Sequence, residues 1–318
     1  APTHTMNINK TDLPRPFLKW VGGKQNNIGH IINYFPTEMN NYHEPFTGGG
    51  SVLLALLWAL KHDYITVYGN IFSYDLNESL IHTYQNVKDN VNELCTSLES
   101  IIKEYHSITD VNAPRKGMGK GRPVMPITEA EGLSSKESYY YWTRKLFNEQ
   151  TDKKTIISSA YFMFLNKTGF RGMYREGPSG MNIPYGHYVS VNFDPEELLS
   201  ISELIQNVEF IHGDFATSLS NTDGKDFVYL DPPYAPENDK SFVGYTRDGF
   251  DMEQHKKLFS LCNDMPALSK FMMSNANVPL IREYLPRDQY NYKLISCRRA
   301  INSKNPGAKA KEVIITNY

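Results

Sequence analysis

Phe227-Val228-Tyr229-Leu230-Asp231-Pro232-Pro233-Tyr234 is the stretch on which the reading of this 318-residue chain turns. Four consecutive apolar residues that stop at an acid predict a strand buried on both faces, the pattern of a parallel sheet covered by helices. Relatives of the pattern stand at Ile71 to Tyr74, Val208 to His212 and Phe271 to Met273. Helical spacing fills the intervals: Ser51 to His62 carries apolar residues on a broad face directly after three glycines, with Ser51 placed to cap it. Tyr292 to Ile295 and Val313 to Thr316 are spaced to close the sheet as an antiparallel pair. Strands alternating with helices predict an α/β fold, an open and mostly parallel sheet with helices on both faces. Sheets of this kind bind ligands at the carboxyl ends of their strands, so the residues just after each strand carry the functional reading.

At that position the quoted stretch offers Asp231, Pro232, Pro233 and Tyr234. A carboxylate and a proline carbonyl can each accept one hydrogen of an aromatic amino group. They thereby draw its lone pair out of conjugation and make a poor nucleophile a useful one, while a tyrosine stacks on the ring. Two prolines fix φ and hold the acceptors in place. The plainer reading is a rigid turn after a buried strand. A second candidate is Glu44-Pro45-Phe46-Thr47-Gly48-Gly49-Gly50-Ser51, a glycine-rich turn that lets a ligand approach the backbone. It has neither the Lys-Ser/Thr pair of a phosphate loop nor the dinucleotide fingerprint. Asp75, at the end of its strand, can hold two ribose hydroxyls or serve as a turn residue. A nucleoside without phosphates is the ligand that suits both.

Composition bounds the class. Apolar residues make up 40% and charged residues 21%, ordinary for a globular protein. Cys95, Cys262 and Cys297 are odd in number and lack paired spacing, which predicts neither a disulfide framework nor a zinc site, and suits a reducing compartment. No His-Glu-x-x-His spacing occurs, and no metal is expected. No apolar run approaches the ~18 residues that span a bilayer, and Ala1 to Lys10 lacks a signal-peptide layout. The expected protein is soluble, intracellular and not secreted. Its net charge is −2, yet from Arg282 onward eight basic residues face three acids. Arg115, Lys116, Lys120 and Arg122 lie in a Gly/Pro-rich segment, Asn112 to Gly132, that reads as a disordered loop, either phosphate-contacting or merely solvated.

Taken together, the motifs resemble the Dam-type family of DNA adenine methyltransferases over nearly the whole chain. Phe17 to Lys24 (FLKWVGGK) looks like its N-terminal cofactor motif, Glu44 to Val52 like its glycine-rich motif and Tyr74 to Asn77 like its ribose-contacting acid. Gly213 to Phe215, Asp231 to Tyr234, Phe242 to Phe250 (FVGYTRDGF), Ser274 with Asn275, and Glu312 to Tyr318 (EVIITNY) follow in the family's order. The resemblance implies a Rossmann-like methyltransferase fold that uses S-adenosylmethionine. It implies that Trp20, Lys24, Phe46, Asp75, Asp214 and Asp231 contact this cofactor, and that Asp231, Pro232 and Tyr234 act on the target base. Read from the residues alone, Trp20 can equally be plain core, Lys24 a solvated helix residue and Asp214 a helix cap. A lysine near a cofactor that carries a carboxylate has a physical reason to be there.

The same resemblance implies residues 13–85 and 207–318 as the cofactor-binding catalytic domain, and 86–206 as an inserted, largely helical domain that recognises double-stranded DNA. Within it Phe164 to Tyr185 resembles a groove-entering hairpin. Arg175 is the expected guanine contact, worth about 1–3 kcal/mol of discrimination, with Arg171 and His187 as competitors for it and Asn182 and Tyr185 as further recognition residues. Tyr139, Tyr140 and Tyr141 supply either stacking or core. The expected reaction is direct in-line methyl transfer to adenine N6 in a short palindrome such as GATC, and a cognate restriction endonuclease is a possible partner. The competing functions are methylation of RNA bases or protein glutamine, where the tetrapeptide commonly begins with Asn, and a non-catalytic DNA-binding scaffold.

Overall fold

The computed structural model describes residues 6–117, 121–237, 250–298 and 309–318. The chain divides into two compact units, one built from the residues up to Arg15 with Gly22–Leu76 and Asn207–Tyr318, the other from Pro16–Val21 with Asn77–Gln206. In the first unit the chain forms α1 (Ile28–Ile32), β1 (Glu38–Met39), β2 (Tyr42–Glu44), α2 (Ser51–Lys61), β3 (Thr66–Val67) and β4 (Ile71–Asp75). The second unit follows with α3 (Glu78–Asp89), α4 (Val91–Ser107), α5 (Glu129–Gly132), α6 (Lys136–Glu149) and α7 (Ile156–Thr168). Hairpin strands β5 (Glu176–Gly177) and β6 (Gly180–Met181), then α8 (Pro195–Leu204), complete it. The first unit resumes with β7 (Val208–His212), α9 (Phe215–Ser220), β8 (Phe227–Leu230), α10 (Met252–Asn263) and β9 (Lys270–Ala276). It ends with α11 (Pro279–Tyr284), β10 (Asn291–Arg298) and β11 (Lys309–Thr316). Helix α3 lies whole in the second unit, so the division falls at Leu76 and not at residue 85, within that helix.

The first unit is an open seven-stranded sheet of order β10-β11-β9-β8-β2-β4-β7. Five strands are parallel; β11 runs antiparallel to both β9 and β10, with Tyr292 opposite Ile315 and Leu294 opposite Val313. The burial patterns follow position. All four residues of central β8 are buried, whereas edge strand β7 alternates, with Val208 and Phe210 buried and Glu209 exposed. One face packs Val228, Leu230, Phe271 and Met273 against Leu258 and Ile281 of the flanking helices. On the other, Phe35 meets Phe227 edge-on at 4.8 Å, between ring centroids, and also contacts Tyr42 and Tyr229.

Two local features depart from the sequence pattern. Central strand β2 carries no apolar run, because two of its three residues are His43 and Glu44; all three are buried nonetheless. Partners inside the fold meet its polar side chains, the buried His43 Nδ1 excepted. His43 Nε2 lies 3.0 Å from Asp226, which also accepts from the backbone N–H groups of Asn41 and Asp223, and the Tyr42 hydroxyl donates to Glu44. Second, Ser51 is the first residue of α2 and not its cap: Gly50 takes that place at φ 84°, a left-handed conformation that glycine adopts without cost.

The second unit is largely helical around an aromatic core in which Phe164 meets the rings of Tyr105 and Tyr139 edge-on. Tyr139, Tyr140 and Tyr141 are all buried. The described part of Asn112 to Gly132 is ordered rather than disordered, because the buried Glu137 carboxylate accepts from the Ala113 N–H and, at two oxygens, from Arg115. That guanidinium is committed within the fold. Lys120, Arg299, Lys304 and the motif Phe242 to Phe250, apart from Phe250, lie outside the described residues. Among the described residues no helix is long and apolar enough to cross a membrane.

Candidate active site

Chain order reverses between β2 and β8. From β2 the sheet grows through β4 to β7 on one side, and from β8 through β9 on the other. The carboxyl ends of these two strands form the crevice where doubly wound sheets take ligands. Glu44 to Gly50 leaves one end and Asp231 to Tyr234 leaves the other. The two motifs picked from sequence are neighbours across the switch point of one sheet.

Lys24 ties the second motif down. Its ammonium lies 3.1 Å from Asp231 Oδ1, donates to the Tyr234 hydroxyl at 2.9 Å and to the Gly22 carbonyl at 3.1 Å, and sits 4.7 Å from the centre of the Tyr234 ring. With the Lys24 side chain 8% exposed and that of Asp231 21%, this is a sheltered ion pair and not a surface one. Burial pushes the Asp231 carboxyl up to about 6, while Lys24 pulls against the rise and Glu312 adds to it. Burial draws Lys24 down, but Asp231 and Tyr234 outweigh it and the net shift is upward. Lys24 is therefore a buried, permanently charged partner rather than a solvated helix residue. Behind the tetrapeptide, Asn275 of β9 accepts the Ala235 N–H at 2.9 Å, and Ser274 bonds the Tyr229 hydroxyl at 2.7 Å. These contacts fix the turn from below.

The glycine-rich turn is fastened to β4. Thr47 bonds the Tyr74 carbonyl through both its N–H and its hydroxyl and meets Ser73, while the Gly48 N–H donates to the Asp75 carboxylate at 3.0 Å. Gly48 and Gly50 both have left-handed φ, a conformation that glycine adopts without steric cost. Asp75 is half-buried at the strand's end, in register with His212 of β7. Phe46 stacks on Phe215 with centroids 5.7 Å apart and meets Phe250 edge-on, making an apolar wall. Asp214 caps α9, accepting from the Thr217 N–H and hydroxyl.

Glu44 was missed as a site residue. It is 2% exposed, and burial pushes its carboxyl up to about 8, with Asp231 and Asp75 adding to the rise. A Glu opening the glycine turn was the only sequence signal for it. Among the described residues no three His, Cys, Asp or Glu side chains gather to hold a metal ion.

Other expected residues fall in the second unit. Trp20 stacks on Tyr174 and packs near Phe162, and Asn166 clamps the neighbouring Lys19 backbone through both its amide groups. Of the stretch expected as a hairpin, Phe164 to Thr168 is the end of α7, and a hairpin runs from Gly169 to Tyr185. Gly169 bridges Tyr185 at its base, and Glu176 and Gly177 pair with Met181 and Gly180 at its tip. Arg175 and Asn182 are exposed and joined, Nε donating to Oδ1 at 2.7 Å. Arg171 and His187 are exposed with φ of 55° and 59°, strained values for residues with a side chain. Tyr185 is corrected: it is 3% exposed and its hydroxyl bonds that of Tyr105, so it belongs to the core of this unit.

Comparison with known proteins places this geometry. The chain is 32% identical over 319 residues to a type II methyltransferase, M.MjaIII, of Methanocaldococcus jannaschii, covering 96% of this chain and 99% of that one. It is 31% identical to the type II methyltransferase M1.LlaDCHI of Lactococcus lactis subsp. cremoris, covering 98% and 97%. It is 29% identical to a DNA adenine methylase of Haemophilus influenzae, covering 94% and 92%. The profile of one family matches residues 20–301, nearly the whole chain with the crevice included, and by that match the chain belongs to the D12 class N6 adenine-specific DNA methyltransferases.

Proposed function

We propose that the crevice between β2 and β8 binds S-adenosylmethionine beside an adenine swung out of duplex DNA, and that Asp231 and the Pro232 carbonyl receive the adenine amino group. The observation that carries this reading is the sheltered Lys24–Asp231 pair at the carboxyl end of β8. Held at about 6 by the opposition of burial and Lys24, the Asp231 carboxyl is an ionised acceptor at neutral pH. It accepts a hydrogen bond from one amino hydrogen, the Pro232 carbonyl accepts one from the other, and the carboxylate offsets the positive charge that grows on the nitrogen as it attacks, until one proton leaves the methylated nitrogen. The Lys24 ammonium is bonded to the Tyr234 hydroxyl at the rim of the ring, an arrangement that a base stacked on the ring face can keep.

The residues present fit the cofactor. Lys24 can neutralise its carboxylate by exchanging one of its three present bonds, Asp75 at the end of β4 can accept its ribose hydroxyls, and the Phe46–Phe215 wall suits an adenine face. Asp214 can accept from the adenine amino group in addition to its capping bonds. When bound, S-adenosylmethionine supplies an activated sulfonium methyl.

Exposed Arg175 and Asn182 at the hairpin, with Arg171 and His187 at its base, are the proposed contacts to double-stranded DNA, with Arg175 on a guanine. A short palindrome is the expected site, GATC being the first to test. The type II names of two relatives support a cognate restriction endonuclease as a partner. The test is labelled methyl incorporation into duplex DNA, RNA and protein, by wild type and Asp231→Ala. Transfer to adenine in duplex DNA alone, lost in the variant with DNA affinity retained because phosphate contacts dominate it, is expected. Incorporation into RNA or protein only, or an active Asp231→Ala, rules the reading out.

A further inference from the structure

We infer that helix α6 is the splint that sets the base-reading hairpin, and that Asn148 is a specificity-determining positioning residue. The inference rests on the reading of the hairpin proposed above. Residues 140, 144 and 148 follow one another at intervals of four along one line of α6, with 141 beside them. Each of the four side chains bonds hairpin backbone. The Tyr140 hydroxyl and Arg144 Nη1 donate to the Ile183 carbonyl at 2.7 and 3.0 Å, and the Tyr141 hydroxyl accepts the Tyr185 N–H at 3.2 Å. Asn148 bonds Met181 twice, Nδ2 donating to its carbonyl and Oδ1 accepting its N–H, each at 2.9 Å.

The backbone groups used belong to residues 181, 183 and 185, alternate positions that present the same edge of an extended chain. The other edge is occupied by the hairpin's own partner strand: the Asn182 N–H donates to the Arg175 carbonyl, and the Phe170 N–H to that of Pro184. The returning arm thus lies between its hairpin partner and a row of side chains that replaces a neighbouring strand. Asn148 is suited to the place because a side-chain amide offers one donor and one acceptor, as a peptide group does. Gly180 gives an independent sign of the fit. Its φ is +104°, and a Cβ there would come within 2.6 Å of Asn148 Oδ1. Arg175 and Asn182, the exposed pair proposed to face DNA, ride on this arm and its partner, so the depth at which they present is set from α6.

The test compares kcat/KM on the target duplex with kcat/KM on duplexes that differ from it by one base pair. Asn148→Asp keeps the acceptor and loses the donor; Asn148→Ala loses both. Discrimination is expected to fall about tenfold in the alanine variant, less in the aspartate variant, with cofactor affinity by calorimetry within about twofold of wild type. Tyr140→Phe removes one donor and keeps the ring; it is expected to lower discrimination about threefold, and it decides the matter should Asn148→Ala not fold. A site-specific wild type whose folded variants discriminate as well as it does, even with a lower thermal midpoint, overturns the inference alone. A wild type that methylates no DNA duplex overturns the proposed function and the inference with it.

Discussion

Replacing Lys24 with methionine keeps most of the apolar stem and deletes the ammonium that lies 3.1 Å from Asp231. Burial raises the Asp231 carboxyl and Lys24 restrains that rise, leaving it at about 6. An opposite charge at this range is worth about 1–3 units on a carboxyl, so Lys24→Met should move the group from about 6 to between about 7 and 9. At pH 7 the ionised fraction then drops from about nine-tenths to between about one-half and one-hundredth. Because only the carboxylate accepts the amino hydrogen, single-turnover methyl transfer at saturating cofactor and DNA should fall by about 2- to 90-fold at pH 7 and recover toward pH 9.5. Lys24 itself stays charged across that range, since its net shift is upward. Rates measured from pH 5 to 9.5 decide it. A uniform loss with the acid limb still at about 6 would refute the claim that Lys24 sets the charge of Asp231 and leave it only a cofactor contact.

Glu44→Gln keeps an acceptor for the Tyr42 hydroxyl and removes a titrating group. The native carboxyl is raised to about 8 from an ordinary 4.5, so its stabilisation is complete below about 4.5 and is lost as pH rises through about 8. The variant should therefore gain on wild type between pH 5 and pH 9 by more than about 1 kcal/mol in denaturant unfolding; an unchanged difference contradicts a buried neutral Glu44. Arg175→Ala should relax one base position by about 1–3 kcal/mol, toward the low end because its guanidinium is already bonded to Asn182. Sequencing of modified bases in cellular DNA reads this directly, and undiminished selectivity moves the contact to Arg171 or His187.

The strands Val208 to His212, Phe227 to Leu230 and the closing antiparallel pair were legible in the sequence because burial on a regular backbone leaves a local imprint: runs where both faces are covered, alternation at an edge. The functional tetrapeptide was legible for a related reason, since an acid followed by two prolines has to end a strand. Strand β2 was not, because the partners that make His43 and Glu44 tolerable inside a sheet differ in their reach. Tyr42 is two residues from Glu44, but Asp226 is 183 residues away from His43. Nor could spacing reveal that Lys24 and Asp231, more than two hundred positions apart, form one buried pair, or that Tyr185 turns its hydroxyl inward to Tyr105 while Arg175 stays exposed. Local pattern reports the solvent each residue needs. Which distant charge or hydroxyl supplies a buried polar group's partner is decided only when the chain closes, and in this protein those long-range pairings bear on the charge of the candidate catalytic acid and the footing of the hairpin proposed to read DNA.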